Sequence, residues 1–157
     1  MITLDKESLL IEADGSETIA AIEASANRDQ LTLDVEGAAS MTAVTLESWV
    51  ASGMPGVRPH WRDPADHAVA GFEASRVNMP PIVIRPSPRR SVGPDLFALL
   101  AGCEKRFFSL KSAWLRVHHV GVKRPEAPAF RYDERTPPSE AEESLLDAIA
   151  HALQETR

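Results

Sequence analysis

Residues 92–120 read "VGPDLFALLAGCEKRFFSLKSAWLRVHHV", and the fold depends on whether this stretch is helix or strand. Ser91 or Gly93 can cap a helix here, Pro94 suits its first turn, and Asp95 complements the positive end of the helix dipole. Leu96, Leu99, Leu100, Cys103, Phe107, Leu110, Trp114 and Val117 recur at helical spacing, and Phe97, Phe108 and Leu115 widen the stripe. The pattern predicts one long amphipathic helix over 94–118, broad enough to pack against a sheet. Its far end is open to a second reading, because "WLRVHHVGV" (114–122) also suits a strand.

On the N-terminal side, residues 1–52 read as mainly β. Asp14-Gly15 stands between two apolar runs as a hairpin signal. "QLTLDVEG" (30–37) alternates, with Leu31, Leu33 and Val35 on one face and Thr32, Asp34 and Glu36 on the other. Met41–Ser52 reads as a strand running into a short helix, "LESWVAS", capped by Thr45 and stopped by Gly53. Residues 53–67 hold Gly53, Pro55, Gly56, Pro59 and Pro64 and read as one long loop. Residues 68–85 read as strands, and the second of them, "IVI", is fenced by prolines as an edge strand would be. On the C-terminal side, Ser139 and Glu142 form a capping box for a helix over 139–155, with Leu145, Ala148, Ile149, Ala152 and Leu153 as its buried face. The expected fold class is α+β: a single domain, 1–157, whose mainly antiparallel N-terminal sheet is covered by the long helix and the C-terminal helix.

Length and composition set outer limits. A chain of 157 residues with 43% hydrophobic and 25% charged residues can bury a real core. It has no apolar run of about 20 residues to span a bilayer, so no membrane association is expected. The start, "MITLDKESLLIEADG", lacks a basic region and a long apolar run, so it does not read as a secretory signal. One cysteine excludes an internal disulfide framework and a multi-thiolate zinc site, and a reducing cytoplasm is the expected compartment. No phosphate-cradling glycine loop, dinucleotide fingerprint or G-x-S-x-G elbow is present, so no cofactor and no catalytic residue are assigned.

Charge is strongly segregated. Residues 1–50 carry a net −8, residues 85–124 a net +7 and residues 125–157 a net −5, within a total of −6. The basic block points to phosphate binding through Arg89, Arg90, Lys105, Arg116, Lys123 and Arg124. Against this, its aromatic residues lie on the apolar stripe and not between the cations, and the acidic excess opposes encounter with nucleic acid. Compensation within the chain, or binding to a protein, fits the layout better.

The loop segment "RPHWRDPADHA" (58–68) gathers His60, Asp63, Asp66 and His67, residue types that ligate divalent metals or act as bases. The spacing H-x2-D-x2-D-H matches no established ligand pattern, Pro64 prevents a helix, and Arg58 and Arg62 would pair with the aspartates. His118 and His119 are adjacent and point to opposite sides, which disfavours joint chelation. Cys103, on the apolar stripe, reads as core filling and not as a nucleophile. The function expected from these residues is a non-enzymatic protein-binding module of inhibitor, immunity or adaptor type. Arg58, Trp61, Arg62, Arg89 and Arg90 are its expected contacts, because tryptophan and arginine anchor interfaces. The proline-fenced edge strand is a second place where a partner could attach, by adding a strand.

Overall fold

The structure, a computed structural model, describes residues 1–57, 68–76, 78–86, 96–103, 105–122 and 140–155. The chain divides into two compact units, Met1–Ala127 and Pro128–Arg157. The first contains strands β1 (Ile2–Asp5), β2 (Leu10–Asp14), β3 (Leu31–Thr32), β4 (Val69–Ser75), β5 (Ile82–Ile84), β6 (Ser109–Arg116) and β7 (His118–His119), and helices α1 (Ile19–Asn27) and α2 (Leu46–Ala51). The second contains helix α3 (Glu140–Glu155). The class is α+β, as the sequence predicts.

Five strands form one antiparallel sheet in the order β1-β2-β6-β4-β5, and β3 and β7 form a separate antiparallel pair. The centre of the sheet is therefore β6, from the stretch that the spacing predicts as helix. This is the main correction. Among the described residues of that stretch only Leu96–Leu99 is helical, as a single 3-10 turn. Gly102 (φ +72°) and Lys105 (φ +64°) then take left-handed backbone conformations that a right-handed helix cannot contain. Beyond them Ala113, Leu115 and Val117 are buried while Ser112, Trp114 and Arg116 are only partly so, a period of two. Pairing with β2 on one side and β4 on the other supplies the backbone bonds that decide between the two periodicities.

A second correction concerns residues 19–27, expected as strand. Thr18 caps α1, its Oγ1 accepting from the Ala21 N–H at 3.2 Å. Ile19, Ile22, Glu23 and Ala26 are the buried face, at helical intervals. Asp14-Gly15 accordingly ends β2 without making a hairpin. The partner of β2 is β1, across a turn in which Asp5 Oδ1 accepts from the Glu7 and Ser8 N–H groups. The run 30–37 keeps its alternation, with Leu31, Leu33 and Val35 buried. Its regular pairing is limited to β3 and a bridge from Val35 to Val57. Thr45 does cap a short helix, its Oγ1 accepting from the Ser48 N–H at 3.2 Å. The preceding strand is reduced to one bridge, Thr18–Thr45.

Both helices of the first unit contribute to one core. Ile11 and Ala13 of β2, Val69 and Phe72 of β4, and Ala113 and Leu115 of β6 cluster with Ile19 and Ile22 of α1 and with Leu46, Trp49 and Val50 of α2. Trp49 is almost wholly enclosed, and its indole N–H donates to the Pro55 carbonyl at 2.9 Å, so the ring is buried without an orphaned donor. Phe72 and Phe97 meet with ring centroids 6.1 Å apart. The strands expected over 68–85 are present as β4 and β5, and the helix expected over 139–155 is present as α3. The face expected to be buried on that helix is not: Leu145, Ala148, Ile149 and Ala152 are exposed. Among the described residues no helix is long and apolar enough to cross a membrane.

Candidate partner-binding surface

Arg58, Trp61, Arg62, Arg89 and Arg90, the expected contacts, lie outside the described residues, as do His60, Asp63, Asp66 and His67. Among the described residues no group of three or more His, Cys, Asp or Glu is placed to hold a metal ion. His118 and His119 pair with Thr32 and Leu31 across the β3–β7 ladder; His118 is half-buried and His119 exposed. They therefore face different environments, as adjacent strand residues must.

Cys103 is half-buried behind the 3-10 turn, and burial pushes its thiol pKa up, with the Arg106 charge acting in the opposite direction. A thiol held in its protonated form is a poor nucleophile. Lys105, which falls within the stretch expected as one long helix, is instead in a turn. Its Nζ lies 2.7 Å from Glu47 Oε2 on α2. One cation of the basic block thus meets an acid of the N-terminal block. Arg116 and Lys111 both stand on β6, Lys111 exposed and Arg116 half-buried, while Lys105 is in the turn before it.

The β4–β5 hairpin has a different character. Among the described residues β5 is the last strand of the sheet and pairs with β4 alone, through Phe72–Ile84, Glu73–Val83 and Ala74–Ile82. A strand with one neighbour turns alternate N–H and C=O groups outward. Among the described residues of this hairpin, three large apolar side chains are open to solvent: Met79 (49% exposed), Val83 (45%) and Ile84 (40%). Gly71 fixes the geometry from within. A Cβ there would stand 2.5 Å from the Ile84 carbonyl oxygen and 2.8 Å from the Pro86 nitrogen, so only glycine lets the chain leaving β5 cross so near β4. A bulge between Val69 and Gly71 accompanies this approach. Arg76 and Arg85 stand at the two ends of the hairpin, and the sequence from Arg76 to Arg90 holds four arginines and no acid.

No protein-family model matches the chain, and no curated protein does. Among solved structures the fold is similar to part of alkyldihydroxyacetonephosphate synthase, seen in two crystal forms with TM-scores of 0.60 and 0.59. Identity is 16%, and the likeness covers 80% of this chain but only 21% of that one. At such identity the likeness concerns the fold alone. The chain spans about a fifth of the length of the enzyme it resembles.

The edge strand is the feature that the sequence had already marked, through the prolines around "IVI". The exposed apolar group at Met79, Val83 and Ile84 was not singled out with it. Part of its signal was available: Ile82, Val83 and Ile84, fenced by prolines, are too many large apolar residues for one face of a three-residue strand, and Met79 stands just before the fence.

Proposed function

We propose that this chain is a non-enzymatic protein-binding module, of inhibitor, immunity or adaptor type, and that the β4–β5 edge is part of its binding surface. The observation that carries the reading is the exposure of Met79, Val83 and Ile84 beside a strand edge that is unpaired among the described residues. Exposed apolar groups of this kind at a free edge are what a partner strand or helix covers. The arginines flanking the edge supply orientation and a faster encounter with an acidic partner. Another protein is the partner class, and a reducing cytoplasm, consistent with the lone Cys103, is the compartment.

The test is affinity capture from a nuclease-treated lysate with wild-type protein and the Val83→Asp variant side by side. One protein retained stoichiometrically by the wild type and lost with the variant is the expected result. Equal retention by both would remove the β5 edge from the binding surface.

A further inference from the structure

At the β5 edge, apolar side chains stand on both faces of the sheet. Phe72 and Ala74 are buried in the core and pair with Ile84 and Ile82, so those two isoleucines lie on the core side. Val83 pairs with Glu73 and lies on the opposite side. Val83 and Ile84 are nonetheless both open to solvent. The main chain of the strand has a direction too. A Cβ on Gly71 would stand 2.5 Å from the Ile84 carbonyl oxygen, which puts that carbonyl on the β4 side. Alternation then turns the N–H and C=O of Val83 away from β4, out of the edge. Pro81 has no N–H to offer, so the bonds open to a partner centre on Val83.

A helix laid against this edge presents one apolar stripe and leaves the Val83 main-chain groups unpaired. A strand meets both requirements, because its side chains alternate between the two faces while its backbone pairs with Val83. Charge narrows the choice of strand. Arg76 and Arg85 stand at the two ends of the hairpin, and among the described residues neither is in an ion pair. Glu73, across from Val83, disfavours an acid at the centre of the incoming segment. The β5 strand of a second copy has the apolar centre but brings arginine against arginine. We propose that the β5 edge takes a short extended segment of another protein, apolar at its centre and acidic at both ends, as a sixth strand of the sheet. This rests on the reading of the edge as a binding surface and adds the form and the chemistry of its partner. Proline on either side of β5 keeps the added strand short, which guards the edge against longer, unspecific pairing.

The test uses the full chain and two end-blocked, dye-labelled peptides, Glu-Glu-Val-Ile-Val-Glu-Glu and Lys-Lys-Val-Ile-Val-Lys-Lys, with binding read by fluorescence anisotropy. The acidic peptide is expected to bind about tenfold or more tighter than the basic one at about 50 mM salt. Val83→Pro keeps an apolar side chain and removes the outward N–H, which an edge strand tolerates, and it is expected to weaken the acidic peptide about tenfold. Val83→Thr keeps both the shape and the N–H and is expected to bind within about threefold of wild type. Arg85→Glu is expected to abolish the preference for the acidic peptide. Circular dichroism of the variants checks that they remain folded. Equal binding of the two peptides overturns the proposal, as does wild-type binding by Val83→Pro. So does the absence of binding by either peptide at about 1 mM. The reading of the edge as a binding surface fails separately, in the comparison of wild type with Val83→Asp proposed above. A captured protein lost with Val83→Asp but kept by Val83→Pro upholds that reading and overturns strand addition.

Discussion

Glu23 is a charged side chain enclosed at a corner of the core, on the inner face of α1. Its carboxylate accepts from the Thr32 hydroxyl at 2.7 Å and from the Leu33 N–H at 2.8 Å, tying the helix to the segment that leaves β3. Removing it strands both donors, so Glu23→Ala is expected to cost about 2–3 kcal/mol in urea unfolding, and Glu23→Gln distinctly less. Gln30, just before β3, is exposed and sits at φ +57°. A non-glycine residue there is strained by about 1 kcal/mol, so Gln30→Gly is expected to raise stability by several tenths of that amount. Cys103 should react with a thiol reagent at mildly alkaline pH more slowly than a free cysteine, because burial raises its pKa and limits access. A rate equal to that of free cysteine would show the thiol to be open. Cys103 reads in the sequence as filler on a helical stripe, but it is only half-buried and stands outside the core cluster, because that stripe is not a helix. Glu23 was not legible in the sequence, since a glutamate in "IAAIEASAN" shows no partner until Thr32 and Leu33 fold back beside it.

The elements differ in how far local sequence decides them. Helix α2 is announced by Thr45, and Thr45→Ala is expected to cost about 1 kcal/mol in the same unfolding experiment. β4, β5 and α3 were legible because alternation, prolines or a capping box mark them within a few residues. β6 was not. Its apolar residues fit a helical stripe over 94–118 as well as a strand, and the choice is made by pairing with Leu10–Asp14, far away in sequence. The left-handed residues Gly102 and Lys105, which end any helix, give only one glycine as a warning. The hairpin next to β6 offers a sharper check. Gly71→Ala is expected to destabilise by about 2 kcal/mol or more, because the added methyl meets backbone at Ile84 and Pro86 and not a movable side chain. A nearly neutral Gly71→Ala would mean that the chain after β5 can give way.

At the scale of the molecule, the sequence showed that charge is segregated, but not which charges meet. One answer is Lys105 with Glu47, joining the basic block to the acidic one across 58 positions. A double-mutant cycle on this partly exposed pair should return about 0.2–1 kcal/mol, falling with salt. The basic block is thus partly neutralised within the fold, and the apolar character of the β5 edge, more than its charge, sets it apart. The candidate contacts near Trp61 rest on residue type alone, and no pattern in the sequence placed them on an element. The strand order carries a consequence in time. The middle strand of the sheet is the last of its five to be synthesised, so β1–β2 and β4–β5 leave the ribosome as two hairpins with no sheet to join. Until residue 116 has emerged, each has a side that only β6 can close. Contacts so distant in sequence close slowly, and the half-made sheet is exposed to aggregation meanwhile. A chain cut just before Ser109 should therefore remain unfolded.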